Sequence, residues 1–504
     1  MKALTTHDPI GIVGSGTMGI GIAQVAASAG HPVLLFDQCA GAAQASIGQM
    51  ATRLNAQVSK GRLDPAMRYL TLSRMRVIDS LEGLKACSLI IEAITENFDA
   101  KRSLLLQLEE VCTKTCLLAS NTSSLSITQL SAELKHPKRL LGLHFFNPAP
   151  VMPLVEVVAG HLTDPNLIKR ASTIVRAWGK QPVHTRSTPG FIVNRIARPF
   201  YNESMRALEE GVSDCTTLDA LIREAGGFKM GTFELTDLIG QDVNYAVTCS
   251  IFEAFYGDRR FQPSLIQKQR VDAGLLGRKS GQGFYDYTQG AFAPSVSEVI
   301  SDLLVSQCTV EGSANWANGL IQRCQHHDIP VNQVPGRGLL RIGDATLALT
   351  DGRLASRRAL EDALPNLILV DLARDYLQTK RLAISCSSTI GVLAKAQGIG
   401  FLQQLGIKVT CLTDSPALIV LRTWAMLANE AAEALLQGVA SATDIDLAMR
   451  AGLGFPQGPL AWADGFGLSN LLTVLQNLQA CYGEHYRPSL LLQRKATEGD
   501  HFHS

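Results

Sequence analysis

His144 and Glu156 stand twelve residues apart in HFFNPAPVMPLVEVV, residues 144–158. The His precedes two Phe and an Asn-Pro, and the Glu interrupts an apolar run with the character of a strand. Two readings are open: ordinary core and turn residues, or a pair that meets in a site. An imidazole titrates near neutrality, so it can take a hydroxyl proton as a general base. A carboxylate on its other ring nitrogen would fix the tautomer and steady the imidazolium that forms. Upstream, SNTSSLSIT at residues 120–128 gathers hydroxyls around Ser123. That cluster also reads as the start of a helix with spare hydroxyls.

The elements that would position such a site begin near the N-terminus. IGIV at residues 10–13 reads as a short strand. It runs into Gly14-Ser15-Gly16-Thr17-Met18-Gly19 and then a helix pattern of small residues. VLLF follows as a second strand and ends in Asp37. A strand, a GxGxxG turn, a helix and an acid-tipped second strand together form a dinucleotide fingerprint. Gly14 permits the tight turn, Gly16 the approach of a pyrophosphate, and Gly19 close helix–strand packing. The helix start offers amide N–H groups to phosphates. Asp37 would accept ribose hydroxyls and repel a 2′-phosphate, which favours NAD over NADP. Further apolar strands at 89–93, 116–119 and around 142–144, separated by helical stretches, predict a doubly wound parallel sheet. Glu96, Ser120 to Ser124 and His144 all fall just past strands, where such sheets bind ligands.

From Thr188 the period changes to that of helices. PGFIVNRIARPFYNESMRALEEGV reads as one long helix, on which Asn194 and Arg198, four apart, share a face. The chain then repeats itself at a constant offset of 227: Pro189, Arg195, Asn202, Glu203, Gly211 and Asp237 return as Pro416, Arg422, Asn429, Glu430, Gly438 and Asp464. Asn194 returns as Leu421, which suggests work done by Asn194 alone. Upstream of the copy, SCSSTI at 385–390 echoes SNTSSL at 120–125. The stretch from Ser385 to Pro416 is less than half as long as that from Ser120 to Pro189. On this pairing the copy lacks the HFFNP segment and Glu156. No GxGxxG precedes it either.

The predicted fold is therefore an α/β N-terminal Rossmann-type dinucleotide-binding domain and an all-α domain, followed by a degenerate duplicate of both. The expected divisions are 1–187, the NAD-binding domain; 188–288, a helical substrate and dimerisation domain; 289–410, a shortened Rossmann-like region and linker; and 411–504, a second helical repeat. The second Rossmann-like region is expected to pack against or cover the site without cofactor or catalysis.

Composition narrows the class. The 504 residues are 46% hydrophobic and 18% charged, with a net charge of +1. Nothing in that balance attracts nucleic acid or anionic lipid. No long uncharged apolar run predicts a membrane span, and the first residues run straight into a strand rather than a leader, so a cytoplasmic protein is expected. The 11 cysteines show no CxxC pair and read as free, mostly buried thiols. HHDIPVNQVPG at 326–336 reads as a surface connection, and adjacent His326 and His327 seldom point at one ion, so no metal site is expected.

The motifs GSGTMG, IEAITE, SNTSS, HFFNPAPVM, TPGFIVNR and GRKSGQGFYDY run in order over about residues 8–288. In them the chain resembles the L-3-hydroxyacyl-CoA dehydrogenase family. ELTDLIGQDVNYAVTCSIF and YRPSLLLQRKA are similar to the branch that handles 3-hydroxyadipyl-CoA in phenylacetate breakdown. The resemblance implies NAD as cofactor, an acyl-CoA substrate, a homodimer or other homo-oligomer, and oxidation of a 3-hydroxyacyl thioester to the 3-oxoacyl thioester. It puts His144 and Glu156 at the catalytic pair, with Ser123 and Asn194 beside the reacting oxygen. Glu96, Lys101, Asn147 and Lys279 match cofactor contacts; Arg53 and Lys60 fall where the family meets coenzyme A. Two departures stand out: Pro153 where the family has Lys, and Lys229 and Thr232 where it has prolines. Arg198 is a candidate for the distal carboxylate of an adipyl chain; the alternative is a surface or inter-subunit salt bridge. The competing functions are a short-chain 3-hydroxybutyryl-CoA dehydrogenase and a catalytically silent binding or structural protein on the same fold.

Overall fold

The computed structural model describes residues 5–289 and 294–503. The chain divides into two compact units, residues 1–195 with 437–453, and residues 196–436 with 454–504.

The first unit is built on an eight-stranded sheet: β1 (Ile10–Val13), β2 (Val33–Phe36), β3 (Met75–Val77), β4 (Leu89–Glu92), β5 (Leu117–Ser120), β6 (Leu140–Phe145), β7 (Leu154–Ala159) and β8 (Gln181–Arg186). Their order is β3-β2-β1-β4-β5-β6-β7-β8. From β3 to β6 the strands are parallel. They read as short, continuous apolar runs because helices cover both faces. The order reverses between β1 and β4, which opens a crevice at the carboxyl ends of those strands. β7 returns antiparallel to β6 and pairs His144 directly with Glu156. Strand pairing alone therefore puts the two side chains on one face, next to each other.

The second unit holds a seven-stranded mixed sheet: β9 (Cys308–Glu311), β10 (Val331–Val334), β11 (Leu339–Ile342), β12 (Ala345–Leu349), β13 (Leu367–Val370), β14 (Arg381–Cys386) and β15 (Lys408–Cys411), in the order β10-β9-β11-β12-β13-β14-β15. The degenerate Rossmann-like copy is thus present, but its register corrects the sequence alignment. β13 pairs antiparallel with β14, Leu369 opposite Ser385 and Val370 opposite Ile384. In the first sheet Gly142 lies opposite Val158 and Leu143 opposite Val157. Both pairs map onto the second sheet at an offset of 227. The SCSS echo was misleading: Ser385 lies in the counterpart of β7, not of β5. The stretch from β6 onward is not shortened. It is rewritten in place, with Asp371 where His144 would be and Ala383 where Glu156 would be. The HHDIPVNQVPG stretch also differs from expectation, since it ends a helix at His326 and forms β10.

The long helix expected from Pro189 is broken. Phe191 takes a positive φ of 49°, a short helix covers Val193–Ile196, and a new one starts at Arg198. Pro199, which has no N–H to continue a ladder, sits in the new helix's first turn. The copy has Met426 there and runs unbroken over Val420–Leu436.

Each unit also borrows a helix from the other repeat. Ala442–Leu453 lies on β7 and β8 of the first unit, and Cys215–Glu224 lies on β14 of the second. The anchoring bonds repeat at the same offset. Arg186 N donates to Val439 O at 2.9 Å and Thr413 N to Val212 O at 3.4 Å. Arg195 Nη1 donates to Gln437 Oε1 at 2.9 Å, and Arg422 Nη1 to Glu210 Oε2 at 3.0 Å. Residue i meets j′ while i′ meets j, the reciprocity of a two-fold dimer contact written into one chain.

Candidate active site

The three glycines of GSGTMG take the separate roles their spacing predicts. Gly14 has φ 96°, and a Cβ there would meet Ala93 O at 2.6 Å. A Cβ on Gly19 would collide with Gly14 O, whereas one on Gly16 would meet nothing within 4 Å. The space over Gly16 is open, and Gly16 caps the helix Thr17–Ser28 without a side-chain hydrogen bond. Backbone N–H groups are left to face an anionic ligand there. Beside this turn lies a cavity of about 520 Å³ lined by Gly14, Gly16, Asp37, Ile94 and Leu104 among others. Asp37 is fixed at its edge: Ser15 N and Oγ donate to Oδ2 at 2.8 and 2.7 Å, and Cys39 N to Oδ1 at 3.0 Å. Burial pushes the Asp37 carboxyl up, but the bonds from Cys39 and Ser15 outweigh it and hold the group below its ordinary value. The residues present fit a dinucleotide with free ribose hydroxyls.

His144 Nδ1 lies 2.6 Å from Glu156 Oε2. Glu156 is fully buried, and its Oε1 accepts Ile192 N at 3.0 Å and Val193 N at 2.9 Å. An ionised carboxylate accepts only, so the imidazole donates from Nδ1 and turns Nε2 outward as the basic nitrogen. Phe146 and Phe191 flank the ring at centroid distances of 4.5 and 5.9 Å. Asn194 follows directly on the turn that Glu156 holds, and its Nδ2 lies 3.5 Å from Ser123 O. Four of the expected residues, His144, Glu156, Ser123 and Asn194, are thus brought together within the first unit.

Ser123 is itself held by Glu96. Glu96 Oε1 accepts Thr122 Oγ1 at 2.7 Å, Ser123 N at 2.8 Å, Ser123 Oγ at 3.2 Å and Ser124 Oγ at 3.0 Å. Desolvation raises this carboxyl, and the Thr122 bond, the Lys101 charge and the serine bonds bring it below its ordinary value. Lys101, 1% exposed, spends its ammonium on Glu92 at 2.9 and 3.0 Å, on Ile94 O at 3.3 Å and on Glu96 Oε2 at 3.4 Å. Glu92 is fully buried at the end of β4 and also takes the Ser120 hydroxyl. Sequence reasoning read Glu92 only as the end of a strand and gave it no role. The available signal was an acid closing the apolar strand LIIE, nine residues before a lysine.

The other expected residues are placed more loosely. Asn147 is exposed, before a cis bond to Pro148. Arg53 and Lys60 are exposed on and just after the helix Ala42–Ser59. Lys279 belongs to the second unit and pairs with Asp242 at 2.5 Å. Arg198 is buried there, not on the surface; Nη1 donates to Thr248 Oγ1 at 2.9 Å and the guanidinium lies 4.6 Å from the Tyr201 ring centre. The break before Arg198 also ends the single helical face expected for Asn194 and Arg198. Pro153 removes a lysine, yet Lys180 Nζ supplies a cation to the same turn, donating to the carbonyls of Ala149, Pro150 and Met152. Thr232, one of the proline replacements, opens the helix Thr232–Ile239 and donates to Phe200 O at 3.0 Å. Among the described residues no group of three His, Cys, Asp or Glu could hold a metal ion, and no helix is long and apolar enough to cross a membrane.

Residues 9–188 match the family described as 3-hydroxyacyl-CoA dehydrogenase, NAD binding domain. Residues 190–287 and again 418–502 match its C-terminal domain. Residues 347–416 match the 3-hydroxybutyryl-CoA dehydrogenase reduced Rossmann-fold domain. A 3-hydroxyadipyl-CoA dehydrogenase of Escherichia coli (strain K12) is 44% identical over 488 residues, 97% of each chain. A 3-hydroxybutyryl-CoA dehydrogenase of Clostridioides difficile is 37% identical over 280 residues, 56% of this chain and 99% of the relative. Among solved structures, one named 3-hydroxybutyryl-CoA dehydrogenase from Escherichia coli K12 has a TM-score of 0.89 at 43% identity, covering 98% of this chain and 99% of that one. The two full-length relatives thus carry names that differ in the acyl chain.

Proposed function

The chain belongs to the 3-hydroxyacyl-CoA dehydrogenase family, and from that premise we propose that it oxidises L-3-hydroxyadipyl-CoA to 3-oxoadipyl-CoA with NAD. The observation that carries the reaction type is the His144–Glu156 pair at 2.6 Å with Ser123 and Asn194 beside it. His144 Nε2 takes the proton from the C3 hydroxyl. The charge that forms on the ring is met by buried Glu156, which is already oriented and need not reorganise. Ser123 Oγ and Asn194 Nδ2 hold the substrate oxygen, each worth roughly 10²-fold by analogy with oxyanion donors. NAD, held by the glycine turn and Asp37, would supply the acceptor for the hydride that leaves the substrate's C3. Glu96 and Asn147 complete its contacts in this reading, and Lys101 acts through Glu96. Exposed Arg53 and Lys60 meet the phosphates of coenzyme A. The enzyme works as a homodimer or larger homo-oligomer.

The adipyl substrate is supported by the name of the full-length relative at 44% identity; the name carried by the solved structure favours 3-hydroxybutyryl-CoA as the second reading. NADH production from each thioester decides. A kcat/KM at least tenfold higher on 3-hydroxyadipyl-CoA is expected, a preference for the butyryl thioester overturns the adipyl reading, and no NADH from either favours the silent-protein alternative. Arg198 remains the candidate for the distal carboxylate. Losing one partner of a buried charge pair costs about 2–5 kcal/mol, so Arg198→Leu should impair the adipyl substrate selectively; parallel losses on both leave Arg198 structural.

A further inference from the structure

NPAPVMP, residues 147–153, holds three prolines in seven residues. Prolines bring no N–H, so this turn is short of donors for its own carbonyls. Val151 N and Met152 N both donate to Pro148 O, at 2.9 and 3.0 Å. Among the described residues no main-chain N–H reaches the carbonyls of Ala149, Pro150 or Met152. Lys180 Nζ donates to all three, at 2.7, 3.1 and 2.8 Å. The three donors of an ammonium thus meet three acceptors, with none left over. Lys180 is buried, and no carboxylate pairs with it among the described residues. A charge taken out of water in this way has to be held by close oxygen partners.

The backbone that presents Lys180 occurs twice in the chain, which gives an internal control. The helix Pro165–Ala177 is followed by Gly179 at φ 72°; Gly179 N donates to Arg176 O and Lys180 N to Val175 O. At the offset of 227, Gly406 has φ 73°, its N donates to Gln403 O, and Ile407 N donates to Leu402 O. Such a helix ending favours an apolar residue after the glycine, packed back on the last turn. Buried Ile407 follows that rule and Lys180 breaks it. The copy serves its own turn from elsewhere. Arg323, on the helix Asn318–His326, donates to Leu377 O at 3.0 Å and to Thr379 O, the counterparts of Pro150 O and Met152 O. Both copies therefore put a cation on these carbonyls. In the first unit it comes from Lys180, and the helix Thr17–Ser28 meets the turn at Gly21 instead. A Cβ on Gly21 would lie 3.2 Å from Ala149 Cβ and 3.3 Å from Pro150 Cδ.

We propose that Lys180 is a positioning residue for the cofactor: its ammonium holds the turn 147–152 against Gly21 and so fixes Asn147 relative to the helix start that faces the pyrophosphate. The inference rests on the reading of the glycine turn and Asn147 as NAD contacts. His144 lies outside this clamp, because its pairing with Glu156 across β6 and β7 holds it. Loss of the ammonium therefore acts on cofactor affinity and leaves proton transfer in place.

The test is calorimetric titration of the full-length protein with NADH, beside steady-state turnover of the acyl-CoA thioester. Lys180→Met keeps the apolar stem and removes the charge. It should weaken NADH binding and raise the KM for NAD by at least ~tenfold, the effect of stranding one buried carbonyl, while kcat changes less than ~twofold. Lys180→Arg, with the donors that Arg323 uses in the copy, should restore binding. Gly21→Ala leaves the lysine in place but pushes on Ala149 and Pro150, so it should show the same split. A cavity of about 420 Å³ is lined by Gln24, Ser28, Pro150, Trp178 and Lys180 among others. Propylammonium entering there should restore NADH affinity to Lys180→Ala, and neutral propanol should not. If Lys180→Met fails to fold, Gly21→Ala and Lys180→Arg decide. Unchanged NADH affinity in Lys180→Met and Gly21→Ala, or parallel losses of kcat and affinity, would overturn the proposal. A wild type that binds NADH but oxidises no thioester would overturn the dehydrogenase reading alone, since the titrations still report on the clamp.

Discussion

Asp371 directly follows β13 at the place that corresponds to His144 in the first sheet, displaced by the constant offset of the duplication. Its carboxylate accepts the N–H groups of Ile419, Val420 and Leu421 at 2.8–3.1 Å. In the first sheet those counterpart amides, Ile192 and Val193, are bonded by Glu156 from the neighbouring strand. The turn into the helical repeat needs a buried acceptor in both copies. In the second it is supplied from the histidine's position, and no base remains.

That comparison separates two duties of Glu156, anchoring a turn and orienting an imidazole. His144→Gln should lower kcat by at least ~10², within the usual general-base contribution, with little change in thermal stability or NADH affinity. Glu156→Gln should lose as much in kcat and also melt earlier, because an amide cannot accept from His144 and the two amides as a carboxylate does. Steady-state kinetics with calorimetric NADH titration checks both; an equal loss of NADH affinity would assign the pair to folding alone.

Asp37 is already bonded to Ser15 and Cys39 and is held ionised. Asp37→Ala should raise the KM for NAD and narrow its preference over NADP, since an acid at this strand end selects for free ribose hydroxyls. A wild-type enzyme that used NADP equally well would contradict this role.

Glu92 and Lys101 are a buried ion pair, and breaking such a pair by removing one charge costs about 3–5 kcal/mol. Glu92→Gln should show that loss in denaturant unfolding, and adding Lys101→Met should recover most of it. The single variant should also raise the KM for substrate, because an ammonium released from Glu92 draws Glu96 away from Ser123. Stability within ~0.5 kcal/mol of wild type, the range of ordinary surface changes, would show that the pair is not what holds this corner.

Glu96 gives a pH signature. Its carboxyl is held below its ordinary value of 4.5 in the folded protein, so the stability it contributes is complete above that value and is lost only as the pH falls through the lower, folded one. The stability difference between wild type and Glu96→Gln should therefore stay constant from pH 8 to pH 5 and shrink below about 4.5. A difference that already changes between pH 7 and pH 5 would mean the opposite shift.

Only one dinucleotide should bind per chain. Residues 289–410 contain no GxGxxG, so the second sheet offers a pyrophosphate no turn like the one at Gly16. Isothermal titration with NADH should give a stoichiometry near one; two sites per chain would overturn this reading.

The glycine turn, Asp37 and the His144–Glu156 pair were legible in the sequence because each depends on local spacing or on two adjacent strands. Glu92 was not, since a buried acid and a strand-end acid look alike until Lys101 folds over it. The second sheet misled for a related reason. Ser385, Ser387 and Ser388 imitate residues 120–124 in composition, whereas register is set by the apolar alternation of β13 against β14, which tolerates almost complete replacement of side chains. The break at Pro199 was written in the sequence, yet helical periodicity on both sides of it outweighed one residue.

The borrowed helix Ala442–Leu453 carries a consequence for synthesis. β7 and β8 are complete at Arg186 and leave the ribosome long before the segment that covers them, and Gly452 must arrive for Leu154 and Val193 to close over it. Through most of translation the half of the chain that carries the glycine turn has an uncovered apolar edge, and so long a separation slows closure and invites wrong partners. The N-terminal half is begun first and completed nearly last.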